Sequence, residues 1–168
     1  MSPTDWTSLA EWVTQFRALH AQARKGKLGP SDSIRYRQDR EVLAKALLIA
    51  QRLSIKPGKT PRQTLRVSLS LPVELIGANR HEETTTLDLG VGGFATMLPK
   101  PMSVMQHYDF NLKLKGSGNV GGRARVVNVQ RKGKPFRVAF AFADLPQADS
   151  ERISLEVFDA ALATIPPN

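Results

Sequence analysis

Two short stretches hold the residues whose types and spacing could do chemistry. One is RQTLR, which sets Arg62 and Arg66 four positions apart. The other is DLGVGG, which sets Asp88 ahead of Gly90, Gly92 and Gly93. An arginine guanidinium is a planar fork of donors. It can bond guanine O6 and N7 in pairs, bond phosphate, or stack on a base, and lysine does none of these as well. In a regular strand, residues four apart share a face but lie about 13 Å apart, at ~3.3 Å per residue. A turn near Thr64 would bring both arginines onto one ligand. Asp88 offers the complement, because a carboxylate accepts hydrogen bonds while guanine N1–H and the N2 amino group donate them. Gly92 or Gly93 permits positive φ or close approach of the backbone to a ligand. Each piece also has a plainer reading. Two basic residues opening a strand are often only solvated, and an Asp-headed glycine turn is an ordinary hairpin connection. Together they describe a guanine-nucleotide site on β structure.

Little else in the chain suggests chemistry. There is no cysteine, which removes disulfides, zinc–thiolate sites and thiol catalysis. The histidines are His20, His81 and His107, and no pair of them has metal-ligand spacing. His81 falls in a turn, Ala78-Asn79-Arg80-His81, and Glu82-Glu83 reads as solvated surface. No nucleophile elbow, zinc-protease helix or phosphate-binding P-loop pattern occurs. The expectation is therefore a protein that is not an enzyme and has neither metal nor cofactor. The net charge of +9 favours an anionic partner. The charge gathers in Arg24–Lys27, Lys56–Arg66 and Arg123–Lys134 rather than in one tail. No apolar run reaches ~18 residues, so no membrane span is expected. The start, MSPTDWTSLAEW, lacks the layout of a signal peptide, and a cytoplasmic protein is expected.

The elements that must position these residues fall into three segments. Residues 1–53 read as a helical hairpin. Ser2-Pro3-Thr4-Asp5 suits a helix start, and Trp6, Leu9, Val13, Phe16, His20 and Ala23 form one face. KGKLGP ends that helix, and Ser31 or Asp32 caps a second one running to Leu53, with a stripe of Leu43, Ala46, Leu47, Ala50 and Leu53. Its apolar surplus points to pairing with a second copy of the chain, or to a cap on the downstream domain. Residues 54–61 carry two prolines and a glycine and read as a linker. Residues 62–168 read as β structure followed by a helix. Val67, Leu69, Leu71, Val73 and Leu75 alternate as one strand. Glu83–Leu89, FATML, Tyr108–Lys115, Gly122–Val129 and FRVAFAF supply further strands, and Ser150 caps a helix to about Ile165. Such short strands with tight turns imply a closed barrel or a sandwich.

Set in this order, R-x-x-x-R and D-x-G-x-x-G resemble the signature of PilZ domains, bacterial receptors for cyclic di-GMP. The later strands, GGRARVVNVQ and FRVAFAFADL, resemble that family too. The resemblance covers about Pro61–Ile165. It implies a mainly β fold, a six-stranded antiparallel barrel with a C-terminal helix, here preceded by the helical hairpin. It implies that Arg62 and Arg66 bind guanine and phosphate, that Asp88 bonds the guanine Watson–Crick edge, and that Gly93 allows close approach. The serine of the family motif is Gly90 here; the lost hydroxyl removes one hydrogen bond, about 0.5–1.5 kcal/mol, or two- to tenfold in affinity. Arg123 and Arg125 are candidate secondary contacts. The implied mechanism is a clamp: Arg62 folds over the ligand, fixes the linker and reorients the N-terminal helices toward an unknown downstream protein partner. Two other readings stay open. One is a degenerate module that binds protein rather than nucleotide. The other is a basic barrel that binds nucleic acid, which predicts exposed aromatic rings for base stacking.

Overall fold

The computed structural model describes residues 8–58, 63–116, 118–131 and 133–167. The expected helix start at Ser2–Asp5, the residues Lys59–Pro61 of the linker, and Arg62 lie outside them. The chain divides into two compact units, Arg66–Ala160 and Met1–Leu65 with Ala161–Asn168.

The larger unit is the barrel. Its strands are β1 (Arg66–Ser68), β2 (Pro72–Ile76), β3 (His81–Gly90), β4 (Gly93–Leu98), β5 (His107–Lys113), β6 (Asn119–Gln130) and β7 (Phe136–Ala143). All pairings are antiparallel, and the order β3-β2-β5-β6-β7-β4 returns to β3, closing a six-stranded barrel. β1 lies beside the far half of β3, in line with β2. The expected single strand over Val67–Leu75 is thus broken into two. Arg66 opposes Gly90, a sum of register that holds to Ser68; from Pro72 onward the pairing has slipped by one residue. Thr86 fills the break. Its buried hydroxyl accepts from Leu71 N at 3.0 Å and donates to the Leu69 carbonyl, satisfying backbone groups that the ladder leaves out. The in–out alternation of Leu69, Leu71 and Val73 continues through the break, so hydrophobic spacing gives no sign of it.

The barrel interior is aromatic. Phe94 stacks on Phe140 at 5.0 Å, and Phe110 meets Phe142 at 5.1 Å. Leu75, Leu89, Leu98, Leu112, Val126 and Val138 complete a core that excludes water. These rings are spent on packing rather than offered to solvent as a platform for stacked bases. The C-terminal helix α3 (Gln147–Ala163) begins earlier than Ser150, whose N–H already bonds to the Pro146 carbonyl at 2.9 Å and so cannot be the cap. Ile153 and Val157 are fully buried, and the buried Glu156 accepts from Gly116 N at 3.1 Å.

In the smaller unit, α1 (Leu9–Arg24) is capped by Ser8, whose hydroxyl accepts from Glu11 N. Gly26, at φ +66°, ends the helix as glycine does just past a C-terminus. α2 (Pro30–Leu53) starts before the expected Ser31 or Asp32: Gly29 is the cap and Pro30, with no N–H to leave unpaired, takes the first position. The hairpin seam is a row of rings, Trp12 on Phe16 at 5.7 Å and Phe16 on Tyr36 at 5.6 Å, with His20 Nδ1 2.9 Å from the Tyr36 hydroxyl. Leu43 is buried, but the rest of the expected α2 stripe is not: Leu47 is half-buried, Ala46 and Ala50 are exposed, and Leu53 is 84% exposed. With Val42 and Ile49 it leaves an apolar strip along the outer side of α2.

No helix among the described residues is long and apolar enough to cross a membrane.

Candidate functional site

Asp88 is the centre of the site. Arg66 Nη1 donates to its Oδ1 at 2.9 Å, and Arg137 Nη2 donates to its Oδ2 at 2.8 Å. The Asp88 side chain is 10% exposed while those of Arg66 and Arg137 are 18% and 27% exposed, so the carboxylate lies beneath two guanidiniums. Among the described contacts, two guanidiniums meet this one carboxylate.

The strand register explains this geometry. Directly opposed residues share a face of the sheet. Passing from β1 through β3, β4, β7 and β6, one row reads Arg66, Gly90, Gly93, Ala141, Arg125. The next row reads Ser68, Asp88, Ala95, Ala139, Asn128. The interior residues Leu89, Phe94 and Phe140 lie between these rows, so both rows belong to the outer face. Arg137 stands two residues before Ala139 on the same face. It reaches Asp88 diagonally across β4, where Ala95 leaves room for a long side chain to pass above it. Ala95 is itself fully buried, roofed by what crosses it. The surface between the arginines is therefore floored by glycine and alanine.

The candidates read from the sequence fare differently. Arg66 and Asp88, twenty-two positions apart, do meet. Gly90 lies opposite Arg66 at the hairpin end. Arg125 shares their row, four strand spacings from Arg66, about 19 Å along the sheet. Arg123 lies further along β6, opposite Asp109 and Ala143. Arg62 lies outside the described residues, although the chain bends at the exposed Gln63 and Thr64 just after it. Gly93 is required by the barrel itself. A Cβ built there stands 1.9 Å from the Phe140 carbonyl oxygen, and Gly93 is not among the glycines with positive φ. Gly92 contributes its carbonyl, which accepts from Phe142 N at 3.0 Å and extends the β4–β7 pairing into the turn.

Arg137 is the residue that sequence reading missed. The alternation of FRVAFAF does turn it outward. Its meeting with Asp88 depends on β4 lying between β3 and β7, which no spacing within the chain reveals.

The comparisons with known proteins agree with this architecture. The chain resembles the Bacillus subtilis inhibitor of motility MotI/DgrA at 14% identity and TM-score 0.57, over 64% of this chain and 55% of that one. It resembles the PilZ domain of YcgR from Escherichia coli, solved with c-di-GMP, at 16% identity and TM-score 0.52, over 61% and 92%. It resembles the MrkH–c-di-GMP complex of K. pneumonia at 19% identity and TM-score 0.55, over 62% and 53%. The matched part spans about half the length of MotI and MrkH. A search of curated proteins gave no match. Residues 60–159 match the model of the PilZ domain, and over that stretch, with the barrel that it builds, the chain belongs to the PilZ domain family.

Proposed function

We propose that this protein is a cyclic di-GMP receptor that acts as an adaptor rather than as an enzyme. One observation carries the reading: Arg66 and Asp88, the described charged members of the family motif, meet at 2.9 Å on an outer face floored by small residues. The ligand present in the YcgR and MrkH structures supports the choice of nucleotide. In this reading Arg66 and Arg62 take the guanine Hoogsteen edge and phosphate. Asp88 takes the N1–H and N2 amino edge. A carboxylate has about four acceptor positions, so Asp88 can accept from guanine without releasing both arginines. Arg137 is a positioning residue that aims the carboxylate, and Arg125 marks the far end of the floor. Gly90 weakens the site by the one hydroxyl it lacks.

Calorimetric titration of the full chain with cyclic di-GMP, beside GTP and linear pGpG, tests this. Selective saturable binding is expected, lost in Arg66→Ala and tightened about two- to tenfold in Gly90→Ser. Absence of heat in a folded wild type would leave the second reading, a barrel that has kept the motif's charges but binds protein, which the Gly90 departure favours. Light scattering on the same samples reports the subunit count. The exposed strip of Val42, Ile49 and Leu53 on α2 supports a dimer.

Signalling would pass through residues 54–61. Ligand bound by Arg62 fixes the linker and changes the freedom of the N-terminal helices. Limited proteolysis should slow at the linker when ligand saturates. Equal cleavage with and without ligand would sink this part of the mechanism while leaving binding intact.

A further inference from the structure

The hairpin of β2 and β3 carries a second group of titratable side chains, away from Asp88. Glu74 on β2 stands directly opposite Glu83 on β3, and His81 stands two residues before Glu83. Leu75, between the β2 positions, is fully buried, so alternation turns Glu74 and its partners to the outer face. His81 Nε2 lies 2.8 Å from a Glu74 carboxylate oxygen. One ligand atom from each of Glu74, His81 and Glu83 lies within 4.8 Å of the other two. The group is five residues from Asp88 along β3, about 17 Å.

Like charges directly opposite on neighbouring strands repel, and one imidazole offers at most one positive charge against two carboxylates. We propose that Glu74, His81 and Glu83 bind a divalent transition-metal ion of the zinc class. One imidazole nitrogen and two carboxylate oxygens form a donor set that suits zinc, with bonds of about 2.0–2.2 Å and a fourth position left for water. Tetrahedral donors at that bond length lie about 3.4 Å apart, within the spread already present. The imidazole argues against calcium and magnesium, which take oxygen.

The backbone beneath the group is held by strand pairing. β2 is paired on both edges, to β3 and to β5. Gly77 N bonds to the Arg80 carbonyl at 2.7 Å and closes the turn, so His81 opens β3 rather than lying in the turn. Arg80 donates to the Lys100 and Pro101 carbonyls, each at 2.7 Å, and ion-pairs Glu82 at 2.8 Å, which holds that neighbouring carboxylate apart from the group. The His81 side chain is 57% exposed and Glu74 33% exposed, so an ion can enter from solvent. Sequence spacing hides the site because its third ligand comes from the facing strand.

The test is calorimetric titration of the full chain with zinc chloride in a non-chelating buffer. One ion per chain is expected. His81→Ala and Glu83→Gln should each weaken binding by tenfold or more, whereas His107→Ala should leave it unchanged and magnesium should not compete. Copper substitution followed by electron paramagnetic resonance should show one coordinated nitrogen, lost in His81→Ala. Circular dichroism confirms that each variant is folded, and cyclic di-GMP titration of His81→Ala should match wild type. Unchanged zinc affinity in folded His81→Ala would overturn the proposal, as would a wild type that shows no saturable zinc binding.

Discussion

Gly93→Ala is expected to lower the stability of the barrel by about 3 kcal/mol or more, beyond the usual range for overpacking. The added carbon falls 1.9 Å from the Phe140 carbonyl oxygen. That oxygen cannot yield, because Phe140 is fully buried and stacked on Phe94, the residue next to the substitution. Relief requires β4 and β7 to part by more than an ångström, along a pairing that runs from Gly93–Ala141 to Leu98–Phe136. Urea denaturation followed by circular dichroism measures the loss. Gly121→Ala is the matched control, since its Cβ would meet the Phe110 carbonyl oxygen at 3.4 Å, an ordinary contact. It should change stability by about 1 kcal/mol or less, because the propensity difference favours alanine over glycine in a strand. Similar losses in the two variants would show that the approach to Phe140 is not what demands glycine.

Asp88→Ala is expected to abolish nucleotide binding and to destabilise the fold by about 2 kcal/mol. Removing one partner of a buried ion pair costs roughly 3–5 kcal/mol because the remaining charge loses its compensation; the partial exposure of both arginines reduces that figure here. Two guanidiniums are left facing each other over Ala95. Arg137→Ala alone should cost less, since Arg66 stays on Asp88. The double variant Asp88→Ala/Arg137→Ala should recover part of the loss, because one of the two opposed charges is gone. Strict additivity across this cycle, measured by denaturation, would mean that Asp88 and Arg137 are not coupled. Binding of cyclic di-GMP to folded Asp88→Ala with unchanged affinity would remove the carboxylate from the ligand site.

Much of this molecule can be read from its residues. The strict alternation of Val67, Leu69, Leu71, Val73 and Leu75 marks β structure, and the 4,3,4 spacing of Leu9, Val13, Phe16 and His20 marks a helix, because both patterns follow from local geometry; the buried face is turned from that reading, with Trp12 buried and Leu9 68% exposed. The sequence links Arg66 and Asp88 only through the guanine edges that each could bond; that they ion-pair with each other shows only in the structure. What the sequence hides depends on strand order. The pairing of Arg137 with Asp88 requires β4, with alanine at 95, to lie between them. The requirement for glycine at 93 comes from a carbonyl forty-seven positions away. The break at Leu69–Leu71 leaves the apolar spacing intact and shows only in the register on β3. Capping was misread where two candidates compete locally: Pro30 starts α2 one residue before Ser31, and Ser150 is already inside α3.

The broken strand has a mechanical meaning. β1 adds three residues to one edge of β3 and has no other neighbour among the described strands, while β2 alone completes the ring. Parting β1 from β3 would leave every pairing of the ring in place. A pull on the chain ahead of β1 would load those three residues in series, as a zipper is opened, with the Arg66–Asp88 contact at the end nearest the force. The barrel is an anvil, and β1 is the strand that lies outside its closed ring.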